Sequence, residues 1–147
     1  MRGVIKEYYK EFVELQSRQE KLLDKLEARS LFEDLGSEPS AGECIVRSVA
    51  VVEQVFGGIT ARLWDDPFEW TLPEELSTKK KIRNYILETS EIRDRAFDSF
   101  TNDLELTKII PAPEELRSLS LVLTRSLVDA NVNLERARII SSFIASY

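Results

Sequence analysis

The chain has 147 residues, no histidine, one cysteine, five glycines and five prolines, and 20 basic against 26 acidic side chains give a net charge of −6. That length suits one domain burying roughly two-thirds of its unfolded surface. A single thiol, Cys44, excludes an internal disulfide and multi-cysteine zinc patterns, and the lack of histidine removes Ser-His-Asp, Cys-His and His-zinc chemistry.

The acidic balance opposes broad nucleic-acid binding. No stretch approaches 18 uninterrupted apolar residues, and MRGVIKEYYKEF lacks a signal-peptide apolar block. The expectation is a soluble, cytoplasmic helical domain with no role at a membrane or on nucleic acid.

Apolar spacing is helical almost throughout. Ile5, Tyr8, Phe12, Leu15, Gln19, Leu22 and Leu26 step by threes and fours, which predicts a first helix over 3–34, with Gly36 as its stop. Ser40 followed by Glu43 has capping-box spacing and opens a second helix over 40–63. Its β-branched run Val49–Val55 resembles a strand, but about 23 residues without a turn favour a helix. Gly57-Gly58 predicts a kink or a close crossing.

Residues 64–71 form an aromatic loop carrying Trp64, Phe68 and Trp70, which either line a pocket mouth or cap the core. Thr71 and Glu74 make a second capping box for a third helix over 72–104, with Leu76, Ile82, Tyr85, Thr89, Ile92, Ala96 and Phe100 inward. Pro111 and Pro113 precede a fourth helix over 113–145, whose inner stripe is Leu116, Leu119, Leu123, Leu127, Ala130, Leu134 and Ala137. The sum is an all-α four-helix bundle in one domain spanning 1–147. Leu121, Val128 and Val132 give the fourth helix a second apolar side, which predicts a homodimer through it.

Few residues carry chemistry. Glu43, Glu53, Asp129 and Glu135 are the carboxylates that a divalent-metal site would use, but 26 acids place some inward by chance. Cys44 lies near a helix start, where thiols become reactive, yet on an apolar stripe it reads as core. The cluster Lys79, Lys80, Lys81 and Arg83, extended by Arg93 and Arg95, reads as a solvated helix face paired with Glu74, Glu75 and Glu88.

The segment PSAGECIVRS resembles the start of the second helix in the DinB/YfiT-like family, in which a serine is followed by a glutamate and then by a histidine seven residues after the serine. Ser40, Glu43 and Arg47 occupy that pattern here. LRSLSLVLTRSLVDANVNLERARII is similar to the family's last helix, with Asp129 and Asn133 at the positions of two further histidines. The resemblance implies a pocket between the second and fourth helices. In members that keep the histidines it holds a divalent metal and serves thiol-dependent transferases or isomerases.

Arginine has no lone pair for a metal, so the resemblance here implies a divergent bundle with neither metal nor other cofactor. Arg47 would stand where the metal stood, neutralised by Asp129 and hydrogen-bonded by Asn133. The expected function is a non-catalytic module binding a small anionic ligand or a partner at Glu43, Arg47, Asp129 and Asn133. The alternative is an enzyme of the same type, with Arg47 holding a carboxylate or thiol-conjugated substrate and Asp129 as general base. Low Asn, Gln, Cys and Met content points to a thermophilic source.

Overall fold

The computed structural model describes residues 3–62, 64, 76–111 and 115–145. Four long helices make an all-α bundle: α1 (Gly3–Lys25), α2 (Ala41–Ala61), α3 (Lys79–Asp98) and α4 (Leu119–Ala145). A two-stranded hairpin, β1 (Ile109–Pro111) and β2 (Leu116–Ser118), precedes α4.

Side-chain pairings fix the helix directions. Tyr8 at the start of α1 hydrogen-bonds Ser120 and Thr124 at the start of α4, so these helices run in parallel. Asp24 near the end of α1 meets Lys79 and Arg83 at the start of α3, and Tyr9 packs on Phe97 near the end of α3. That pair is antiparallel. Ser48 of α2 reaches the Ala130 carbonyl, and Glu43 shares a groove with Arg136 while Val55 shares a cleft with Val122, so α2 opposes α4. The bundle order is up, down, down, up. Helix α2 packs most extensively, on α4 and α3, and α1 closes the bundle against α3 and α4.

The core has two halves. At the end holding the start of α2 it contains Leu23, Leu31, Cys44, Ile45, Ile82 and Ile86. At the other end Phe12, Phe56 and Phe97 join three helices, with ring centroids 4.9 Å (Phe12–Phe56) and 5.4 Å (Phe56–Phe97) apart. Truncating such a buried phenylalanine costs about 3–5 kcal/mol. Buried Gln19, Ser48, Thr89, Arg93 and Ser126 place polar atoms among these apolar side chains.

Several expected boundaries move. The first helix ends at Lys25 rather than 34. A 3-10 turn, Ala28–Ser30, then folds the chain back and buries Leu26 and Leu31, whereas a longer helix would carry them past the bundle. Gly36, expected to stop that helix, sits at φ +76° in a later turn whose Asp34 side chain accepts its N–H. Ser40 caps α2 as predicted, its hydroxyl accepting the Glu43 N–H at 3.1 Å.

Gly58 lies within continuous helix, where a Cβ would meet the Trp64 ring at 2.2 Å. The close approach is therefore to that ring. Helix α3 begins after the Thr78 cap, whose hydroxyl accepts the Lys81 N–H, and it ends at Asp98. The predicted cap Thr71–Glu74, together with Glu75, Phe68 and Trp70, lies outside the described residues. Helix α4 starts at Leu119 because 116–118 pair with 109–111, and Leu116, expected inward, is exposed on the hairpin.

Candidate functional site

A groove of about 580 Å³ opens at the start of α2, between α2, α4 and the 32–40 connection. Glu43 and Arg47 stand one turn apart on α2, and Asn133 and Arg136 face them from α4. Phe32, Glu33, Asp34, Glu38 and Pro39 form the outer wall. The wall is held in place by one backbone hydrogen bond and one ion pair. The Gly42 N–H donates to the Leu31 carbonyl at 2.6 Å, and Arg136 bridges to the Glu38 carboxylate at 3.0 Å.

The electrostatics are mixed. Four carboxylates (Glu33, Asp34, Glu38, Glu43) and two guanidiniums (Arg47, Arg136) line the groove, with the N-terminal turn of α2 at its floor. The N–H groups of that turn are already taken, Gly42 by the Leu31 carbonyl, Glu43 by the Ser40 hydroxyl and Cys44 by the Ser40 carbonyl. The turn therefore contributes only the partial positive charge of the helix end beside Ser40.

Three of the four expected site residues, Glu43, Arg47 and Asn133, therefore share this groove. Asp129 does not line it. It borders a separate cleft of about 130 Å³ with Val51, Gln54, Trp64 and Arg125, one turn earlier on α4. Asn133 is tied to Asp129 only through the main chain, its side-chain amide donating to the Asp129 carbonyl at 3.0 Å. Arg47 and Asp129 are both exposed, so they do not form the buried charge pair that a guanidinium in a former metal site would require.

Other candidates separate in the same way. Among the described residues no three acidic or thiol side chains converge on one point. Glu53 accepts the Tyr85 hydroxyl, and Glu135 pairs with Arg138 at 3.0 Å, which holds the Glu135 carboxyl below its usual range. Cys44 is fully buried, and burial pushes its thiol pKa up, as a core residue's should be. Arg93 is no part of a surface cluster. It is buried beside Asp94, donates to the Gln16 side chain at 2.6 Å, and lies 5.5 Å from the centre of the Tyr9 ring.

Helix α2 is the one described helix long and apolar enough to cross a membrane. More than half of that stretch is buried inside the bundle, as in any core helix.

The sequence reading missed a buried polar connection. The Gln19 side-chain amide donates to the Ser48 hydroxyl at 2.9 Å, and that hydroxyl donates to the Ala130 carbonyl at 2.7 Å, linking α1, α2 and α4. Its signal was present, because Gln19 interrupts an apolar stripe and Ser48 sits in the run IVRSVAVV. Fold and site together define an all-α four-helix bundle with an open, mixed-charge groove between its second and fourth helices. No family model, curated protein or solved structure matches the chain.

Proposed function

We propose that this protein is a ligand-binding helical module of the divergent DinB-like kind implied by its second and fourth helices, acting through the groove at the start of α2. The observation that carries the proposal is the single cavity of about 580 Å³ shared by Glu43, Arg47 and Asn133. These residues come from two helices far apart in sequence. A few convergent polar groups in a cleft between helices is the usual form of a small-molecule site.

The lining refines the ligand's chemistry. Two guanidiniums against four carboxylates disfavour a simple anion, because each unmatched carboxylate repels it. A dipolar ligand fits both signs. Its anionic end lies at Arg47 and the α2 N-terminal turn, and its cationic end faces Glu33, Asp34 and Glu38. The enzymatic alternative needs Asp129 against the ligand, and Asp129 borders the other cleft. Binding without catalysis is the reading the geometry supports.

The test is thermal unfolding with three probes: free arginine as a dipolar ligand, spermidine as a cation and inorganic phosphate as an anion. A ligand at a hundred times its dissociation constant adds about 2.7 kcal/mol. Arginine is expected to raise the midpoint, and the shift should vanish in Arg47→Gln. A shift with phosphate alone returns the site to a simple anion, and no shift with any probe overturns the proposal.

A further inference from the structure

Helix α4 carries a second apolar face that the other described residues leave exposed. Leu121, Val128, Val132 and Ile139 are 40, 54, 61 and 56% exposed, whereas Leu123, Ala130, Leu134 and Ala137 on the opposite face are buried. With 3.6 residues per turn, the exposed four and the flanking Arg125 and Glu135 fall within about 80° of the helix circumference. From Leu121 to Ile139 the strip is about 27 Å long at 1.5 Å per residue. A strip this long and narrow is a helix-packing seam rather than a scatter of single surface residues.

The order of residues along the strip identifies its occupant. Leu121 and Ile139 lie nine residues to either side of Ala130, Val128 and Val132 two residues, and Arg125 and Glu135 five residues. The pattern therefore reads the same apolar and charged sequence from both directions, with the charge signs opposed. An antiparallel second copy of α4 satisfies it from Leu121 to Ile139, with Phe143, 53% exposed, beyond the paired stretch. Leu121 meets the partner's Ile139, Val128 meets the partner's Val132, and Arg125 is level with the partner's Glu135. A parallel copy would instead place Arg125 against Arg125 of the partner subunit. Two-fold pairing is also the commonest closed symmetry, with each surface patch meeting its own copy.

We infer that two copies of this chain pair through the exposed face of α4, antiparallel, about a two-fold axis level with Ala130. The inference does not depend on what the α2 groove holds.

Sedimentation equilibrium on the native protein should give twice the chain mass. Val132→Glu, at an exposed position, should halve that mass with its helical circular dichroism unchanged. The register is tested by oxidising copies that carry Val128→Cys or Val132→Cys, with buried Cys44 left in place. Neither variant should cross-link alone, and an equal mixture should. A native mass of one chain overturns the pairing, as does an unaltered dimer in Val132→Glu. Either cysteine variant cross-linking to itself overturns the register.

Discussion

Asp103 caps a helix that begins about a hundred residues earlier. Its two carboxylate oxygens accept the backbone N–H groups of Val4 and Ile5, each at 3.1 Å, at the open start of α1. The first turn of α1 contains no acid of its own, so the charge that complements the helix dipole comes from the turn after α3. These two hydrogen bonds hold the Asp103 carboxyl below its usual range.

A folded-state pKa below the unfolded value, about 3.9, means that the contribution is fully present above pH 4. It is lost as the pH falls through the depressed folded value. Asp103→Ala is therefore expected to lower the thermal midpoint at pH 7, and its difference from the native protein should close in acid. Midpoints measured from pH 7 to pH 2 on both proteins check this. A difference that stays constant across that range would assign the effect to packing rather than to charge.

The way the chain enters α2 gives a second prediction. Helix propensity favours alanine over glycine by about 1 kcal/mol in a helix, so Gly42→Ala would ordinarily stabilise. Here the added Cβ would lie 2.5 Å from the Leu31 carbonyl oxygen, which already accepts the Gly42 N–H. That oxygen is backbone and cannot turn aside as a side chain does. The clash outweighs propensity, and a net loss of about 1–3 kcal/mol is expected, read from urea unfolding. The same experiment reports on the groove, because the Leu31–Gly42 contact anchors its outer wall.

Features set by neighbours in sequence were legible, and those set by distant contacts were not. The Ser40 cap and the one-turn spacing of Glu43 and Arg47 follow from three- and four-residue intervals, and the structure keeps both. The inward stripes of α1 and α4 are also local periodicities, and Phe12, Leu15, Leu123 and Ala130 are buried as read. The end of α1 carries neither glycine nor proline. It is decided by where Leu26 and Leu31 find the core. Pro111 before a helix pattern reads as a helix start, yet its neighbours pair with 116–118. At the site, Asp129 and Asn133 share a helix face, but one turn of α4 advances about 5.4 Å, enough to leave Asp129 in the adjoining cleft.

The Gln19–Ser48–Ala130 connection predicts coupling between two side chains. Ser48→Ala removes the hydroxyl and leaves the Gln19 amide donor buried without its acceptor, which costs about 1–3 kcal/mol. Adding Gln19→Leu removes the stranded donor and restores apolar contact with the core. The double variant is expected to be more stable than the two single losses added together, by about 0.5–3 kcal/mol in a double-mutant cycle. Strict additivity would show that the two side chains do not act as a unit.

Thr89 presents the opposite case, a buried polar atom with no partner among the described residues. Its side chain points inward from α3 at 3% exposure, and among the described residues its hydroxyl oxygen has no hydrogen-bond partner. Burying an unsatisfied hydroxyl costs about 1–3 kcal/mol by protein mutational measures. Valine has nearly the same shape and shares the β-branching, so Thr89→Val replaces the hydroxyl with a methyl group. The opposing effect is small, since both residues have similar helix propensity. Thr89→Val is expected to raise stability by about 1 kcal/mol, measured as a higher urea midpoint with an unchanged slope. A fall in stability would mean that the hydroxyl is satisfied in solution, with a buried water as its partner.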